Sequence, residues 1–469
     1  MTYETAKAML AQNGQSHVLA FWDQLDQDAQ ASLLGQIASI DMAAIKRMQA
    51  MLKASEETAE RERGEIVPSA VVELGSIAER ERNEALSAYG ASALARGEVG
   101  ALLVAGGQGS RLGFEGPKGA YSIGPLSGSS LFEIHARKIL AMERRYATRI
   151  PFYIMTSQAN DAATRDFFAE HSYFGLKQER VLFFTQGMWP ALDSDGKILL
   201  EAPGRIFMSP DGHGGTISAL RDHGMFDDMA RRGIQSLFYF QVDNPLVEIA
   251  DPQFIGLHLK EGADVSTKVC KKREPSEGLG VVAVRNGRNL VVEYSELTPA
   301  QMQEKRSDGQ LKLLFGSVAI HVFSVAFLKQ EAAVDLPLHI AFKKVPTVDA
   351  TGKTVSPDRP NAYKFEKFIF DVIPDAKRTL NVEFDRALEF SPVKNASGND
   401  SPATTQRDMI RKYAGWLTAC GFDVPRDPDG EPRYKIEIDP CFALDAQALG
   451  AQLLKTFVLD ADLLLNEDI

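Results

Sequence analysis

The sequence predicts an α/β protein with a mostly parallel central sheet, a helical N-terminal region and a small α+β C-terminal domain. Two observations carry that expectation. From Val99 onward, short apolar runs alternate with amphipathic stretches, and before about residue 95 apolar residues recur at helical spacing. The composition agrees: 469 residues, 44% hydrophobic and 25% charged, suit an ordinary globular chain of two or three domains.

In the N-terminal region, Phe21, Leu25, Leu33, Leu34, Ile37, Ile40, Met42 and Ile45 mark helical faces among many Ala, Gln and Glu residues. GALLVAG then reads as a buried strand and SLFEIHARKILAMERRY as a helix. PFYIMTS is a strand, ATRDFFAEHSYF a helix, and VLFFTQG and LFYFQVDN are further strands. Such alternation implies parallel strands with helices on both faces and ligands at the carboxyl ends of the strands. From about Gly262, ADVSTKVC, LGVVAVRNGRNLVVEYSEL, LFGSVAIHVFSV and KFEKFIFD read as antiparallel strands, with Asn286-Gly287 as a hairpin turn. GKTVSPDRPNAY and SPVKNASGNDSPATT are loops or boundaries. After Pro402 come a helix, short strands including YKIEI, and a final helical segment. The expected division is residues 1–95, 96–400 and 401–469.

Charge narrows the partners. A net charge of −11 and a pI near 5.4 disfavour nonspecific binding to nucleic acid or anionic membranes, so any anionic ligand needs a local cluster of cations and backbone amides. No apolar run approaches the roughly 18 residues of a membrane helix. The opening MTYETAKAMLAQNGQ lacks a secretory pattern, which makes the cytoplasm the expected location. Cys270, Cys420 and Cys441 are far apart and are expected to be free thiols.

The most informative stretch is LLVAGGQGSRLGFEGPKGAY, Leu102 to Tyr121. A strand followed by glycines and a helix points backbone N–H groups at an anion, and phosphate is the natural guest. The P-loop pattern fails, because Phe114 and Glu115 follow Gly113 where Lys and Ser or Thr are required. The dinucleotide pattern fails by one residue, with Leu112 where it needs glycine. Arg111 and Lys118 are spaced to reach the far end of a polyphosphate. On the residues alone, a structural glycine turn and a solvated Lys118 stay open.

With these residues in view, the stretch resembles the nucleotide signature of sugar-1-phosphate nucleotidyltransferases. The branch is the eukaryote-type one of UDP-N-acetylhexosamine and UDP-glucose pyrophosphorylases. The resemblance spans about residues 100 to 400 and continues in order through IPFYIMTS, FFTQGMWPAL, MSPDGHGG, FQVDN, DPQFIGLHL, GLGVVAV, VVEYSEL, YKFEKFIFD and FSPVKNA. It implies a Rossmann-like nucleotidyltransferase domain that moves UMP from UTP to a sugar 1-phosphate, giving a UDP-sugar and pyrophosphate. N-acetylglucosamine 1-phosphate is the favoured acceptor, with glucose 1-phosphate or a broad sugar range as the alternative. A noncatalytic nucleotide-sugar binder needs neither Lys118 nor Lys394.

The resemblance also implies roles. Arg111 and Lys118 clamp the departing pyrophosphate, Lys394 meets the attacking or α-phosphate, and Asp243 holds Mg2+ bridging phosphate oxygens. Ala105, Gly106, Gly107 and Gln186 recognise the base, Gln186 with both a donor and an acceptor. Gly212 is expected to let backbone approach the nucleotide, and His213 to contact a phosphate or sugar hydroxyl while titrating near neutral pH. Asn244, Gly280, Glu293 and Ser317 are expected at the sugar. Phe368 and Phe370, read as one strand face, would wall an acetamido pocket. Two positions depart from the N-acetylhexosamine pattern, His213 and Ser317 standing where Asn is typical. The sequence assigns no oligomeric state.

Overall fold

The computed structural model describes residues 1–58, 65–72 and 77–467; the expected N-terminal helical region therefore lies partly outside the described residues. Contacts divide the chain into two units, Met1–Glu65 with Gln186–Ser218 and Asp335–Asp371, and Ile66–Thr185 with Ala219–Val334 and Val372–Ile469. These bounds run across the three segments drawn from the sequence. The first unit joins N-terminal helices to short hairpins more than a hundred residues away, a grouping with no local signature.

In the first unit the helices Tyr3–Gln12 and Gln27–Ser39 begin at Thr2 and Asp26, whose side chains accept from the amides of Thr5 and Ala29. Leu10, Leu33, Ile37, Ile45 and Met48 pack on Leu192, Ile198, Leu200, Ile206 and Phe365. Four two-stranded ribbons complete it, among them Met188–Pro190 with Met208–Pro210 and His339–Lys343 with Ala362–Glu366.

The second unit is built on a ten-stranded sheet. Its strands are β1 (Ile66–Pro68), β2 (Val99–Val104), β3 (Phe152–Thr156), β4 (Val181–Thr185), β5 (Ser236–Gln241), β6 (Val265–Lys271), β7 (Val281–Arg285), β8 (Arg288–Val292), β9 (Phe315–Ser324) and β10 (Thr379–Glu383). The order is β1-β7-β9-β5-β2-β3-β4, with β6 beside β9 and β10, and β8 beside β7. β5, β2, β3 and β4 run parallel, and β9, β7 and β1 extend them antiparallel. The sheet is therefore mixed, parallel only where strands alternate with helices. β3 is fully buried and β2 and β5 nearly so, which explains their unbroken apolar character. Asn286 and Gly287 both have positive φ in the β7–β8 turn, as the expected two-residue hairpin requires.

The helix Leu131–Arg145 starts at Ser130, which accepts from the Glu133 amide, and ends on Arg144 and Arg145, matching the macrodipole at both ends. Met409, Leu417, Ile436, Ile438 and Leu465 share one core with Ala101, Leu103, Phe152 and Ile154, so the C-terminal segment packs into this unit. Among the described residues no helix is long and apolar enough to cross a membrane.

Candidate active site

Strand order reverses between β2 and β5, the place where open α/β sheets bind ligands beyond their carboxyl ends. Here the glycine-rich loop leaves β2 and the turn holding Asp243 leaves β5. The Val104 to Gln241 register, and a 3.1 Å bond from Val242 N to Val104 O, keep the two exits side by side. The loop folds on itself through Gly109 N to Gly116 O at 2.9 Å and Lys118 N to Gly107 O at 3.0 Å. Gly119 has no room for a side chain, since a Cβ there would stand 2.2 Å from the Phe132 ring. A long connection separates the loop from the next α-helix, which begins only at Leu131. The expected helix N-terminus is therefore not part of the glycine turn, and the loop's own amides are what it offers to an anion.

Half-buried Lys118 places Nζ 3.4 Å from Asp243 Oδ2. Arg111 is exposed and has no hydrogen bond or ion pair among the described residues. Lys394 follows Val393, whose amide donates to Asp243 O at 2.8 Å, and its Nζ lies 5.7 Å above the Phe390 ring. The fold thus gathers Lys118, Asp243 and the Lys394 segment. Asn244, the next residue, forms an Asx turn: its Oδ1 accepts from Leu246 N at 3.3 Å and also from Ser391 N at 3.1 Å. Asn244 Nδ2 donates to Glu389 O at 2.7 Å. Asn244 was expected at the sugar; buried and spent on backbone, it instead ties the Asp243 turn to the chain leading to Lys394.

Gly280, Glu293 and Ser317 do come together. Ser317 N donates to Gly280 O at 2.8 Å, and a Cβ on Gly280 would stand 3.2 Å from Glu293 Oε1. Behind the Asp243 turn lies a buried ion cluster. Lys268 is 2% exposed, 2.8 Å from Asp251 and 2.6 Å from Glu389. Burial pulls its ammonium down, but Asp251 and Glu389 outweigh burial and hold it above its ordinary value. Glu248, Asp251 and Glu389 bring three carboxylates together, with the Lys268 ammonium as counter-charge. Lys138 and Lys412 also hold carbonyls of this turn, at Val247 (2.8 Å) and Leu246 (3.3 Å) respectively.

In the first unit, buried Gln186 makes no side-chain hydrogen bond among the described residues, leaving donor and acceptor available. Gly212 has φ +84, and a Cβ would stand 2.5 Å from Lys367 O, so the glycine admits the chain at Lys367 rather than a nucleotide. That contact also ends the expected strand. Ala362–Glu366 is a strand, but Gly214 N bonds Lys367 O and Lys367 N bonds Asp211 O, after which the chain turns into the 3-10 segment Ile369–Asp375. Phe368 and Phe370 therefore do not share a strand face. Their rings nevertheless lie 5.1 Å apart, with His213 5.3 Å from Phe368 and His339 4.2 Å from it.

His213 Nδ1 accepts from Ile369 N at 3.1 Å, which leaves the proton on Nε2. Burial, aided by His339, pushes the imidazole down to about 4, so it is neutral at pH 7 and does not titrate there. His135 and His258 are likewise held neutral by burial, down to about 3 and about 4. In each case the unfolded chain binds the proton first, so stability is lost as pH falls from 6.5 toward 4. Asp211 opposes them: burial raises its carboxyl to about 6, and its contribution is lost as pH rises from 3.8 through 6. His213→Asn should therefore show a smaller fall in urea midpoint than wild type between pH 6.5 and 4.5. An equal fall would contradict an imidazole that the fold holds neutral.

Two residues escaped the sequence reading. Asp211 fills the space that Gly187 and Gly215 leave, a Cβ on Gly215 standing 2.1 Å from Asp211 Oδ1. Asn160 precedes the helix Asp161–Glu170, and its side-chain amide holds the glycine-rich loop. Nothing in SQAND signals that contact.

Comparison with known proteins gives one coherent answer. The family described as UTP–glucose-1-phosphate uridylyltransferase matches residues 44–400. A human protein, UDP-N-acetylhexosamine pyrophosphorylase-like protein 1, is 36% identical over 98% of this chain and 97% of its own. The UDP-N-acetylglucosamine pyrophosphorylase of Saccharomyces cerevisiae is 39% identical over 88% of this chain and 91% of its own. Among solved structures, the uridine diphosphate N-acetylglucosamine pyrophosphorylase of Trypanosoma brucei, in complex with an inhibitor, aligns with TM-score 0.84. It is 28% identical and covers 99% of this chain and 98% of its own.

Proposed function

The chain belongs to the UTP–glucose-1-phosphate uridylyltransferase family, and from that premise we infer that it transfers UMP from UTP to N-acetylglucosamine 1-phosphate, giving UDP-N-acetylglucosamine and pyrophosphate. The observation that carries the reading within the structure is the gathering of Lys118, Asp243 and the Lys394 segment at the strand-order reversal, beside the glycine-rich loop.

The chemistry asks for little more. A sugar phosphate is already an anionic nucleophile, so no base is needed to activate it, and catalysis reduces to in-line positioning and charge neutralisation. Arg111 and Lys118 neutralise the β- and γ-phosphates that leave as pyrophosphate. Lys394, which follows the Val393 whose amide bonds Asp243 O, is the cation for the attacking or α-phosphate. Gln186 supplies a donor and an acceptor for the uracil edge. Gly280, Glu293 and Ser317 form the sugar side, with Glu293 accepting from hydroxyls.

Asp243 is the residue we assign to magnesium. It belongs to no group of three metal-compatible side chains among the described residues, which fits an ion held through one carboxylate and substrate phosphates. When bound, magnesium supplies charge to the phosphate oxygens. The reverse reaction tests the function: UDP-N-acetylglucosamine and pyrophosphate with magnesium should give UTP and N-acetylglucosamine 1-phosphate. Failure to form UTP from any UDP-sugar would overturn it.

A further inference from the structure

We propose that Asn160 is a positioning residue that aims the backbone amides of Gly106 and Gln108 at the uridine nucleotide; the inference rests on the uridylyltransfer reading above. Asn160 is 1% exposed and precedes the helix Asp161–Glu170, where an asparagine ordinarily accepts from the second or third helical amide. Here it makes no capping bond. Its side chain turns away from the helix that it begins. Nδ2 donates to Ala105 O at 2.9 Å and Gly107 O at 3.2 Å, and Oδ1 accepts from Ser157 N at 2.8 Å and Ser157 Oγ at 3.0 Å. Two carbonyls on one side and two donors on the other permit a single amide orientation.

The consequence follows from peptide geometry. A trans peptide carries its C=O and N–H on opposite sides, so drawing the Ala105 and Gly107 carbonyls toward Asn160 turns the Gly106 and Gln108 amides the other way. Those two amides, and that of Gly107 between them, have no acceptor among the described residues. Free N–H groups turned to one side offer donors to an anion or a carbonyl, which is what a uridine nucleotide presents. The tie reaches the loop because β2 and β3 are paired, with Ala105 N bonded to Met155 O at 2.8 Å and Asn160 just past the end of β3. Gln108 Nε2 adds a bond to Ala159 O at 3.3 Å across the same two loops.

Asn160→Asp is the informative variant. It keeps size, keeps an acceptor for Ser157 and suits the position before a helix, but sets a carboxylate against two carbonyls. KM for UTP should rise roughly tenfold or more, while KM for the sugar 1-phosphate changes less than about twofold and the urea midpoint stays near that of wild type. Asn160→Ala should show the same KM split. Ser157→Ala, which removes only one bond that aims the amide, should raise KM for UTP about threefold and guards against an Asn160 variant that does not fold. KM for UTP within about twofold of wild type in the folded variants would overturn the inference, as would an equal rise for both substrates.

UTP binding by calorimetry without sugar phosphate separates this from the functional reading. Weakened binding in the variants supports the positioning role even if no sugar phosphate is turned over. Unchanged binding sinks the role even if wild type is a fully active uridylyltransferase.

Discussion

Lys118→Ala is expected to lower kcat by about 10²- to 10³-fold, the usual cost of removing one group aimed at charge that develops in the transition state. The pyrophosphate gains negative charge only as its bond to the α-phosphorus breaks, so Lys118 counts more in the transition state than in the UTP complex. KM for UTP should therefore move much less than kcat. The fold should lose far less than turnover does, because at 3.4 Å the contact with Asp243 is a long, weak hydrogen bond. Lys118→Arg should lose less, since it keeps the charge. An unchanged kcat in Lys118→Ala, with folding intact, would remove Lys118 from the site.

The second large effect is on stability. Lys268→Met should destabilise the protein by about 3–5 kcal/mol, because it leaves Asp251 and Glu389 close together without the ammonium that compensates them. Against a total stability of about 5–15 kcal/mol this is a large share. Urea unfolding at pH 7 measures it, and the loss should shrink toward pH 5 as the abandoned carboxylates take up protons. A loss under about 1 kcal/mol at pH 7 would show that the cluster is well solvated or redistributes its charges.

Much of this was legible in the sequence for identifiable reasons. β2, β3 and β5 are apolar on both faces and can be read as buried strands. Asn286-Gly287 announced its turn because the backbone there requires positive φ twice. The glycine-rich loop and Asp243 leave the ends of adjacent parallel strands, so topology brings both to one place, and the loop's fold onto itself through Lys118 N and Gly107 O returns Lys118 toward Asp243.

What was not legible depends on contacts distant in sequence. Phe368 and Phe370 alternate as a strand would, but the peptide at Lys367 is captured by the Asp211–Gly214 turn and the strand stops. His213 reads as a loop histidine near neutral pKa, yet stacked beside Phe368 and bonded to Ile369 it has no room for a proton on Nδ1. Asn244 carries no sign that Glu389 and Ser391 consume its amide. Phe365 sits in one core with Leu10 and Leu33, which no window along the chain can reveal.

The most direct test of the account is pyrophosphate release from UTP and magnesium, measured as kcat/KM for N-acetylglucosamine, N-acetylgalactosamine, glucose and galactose 1-phosphates in parallel. The account predicts release in every productive case to be matched by a UDP-sugar, with N-acetylglucosamine 1-phosphate preferred despite His213 and Ser317. Preference for glucose 1-phosphate would contradict the sugar assignment and make those two residues the specificity determinants. No release with any of the four would contradict uridylyl transfer itself.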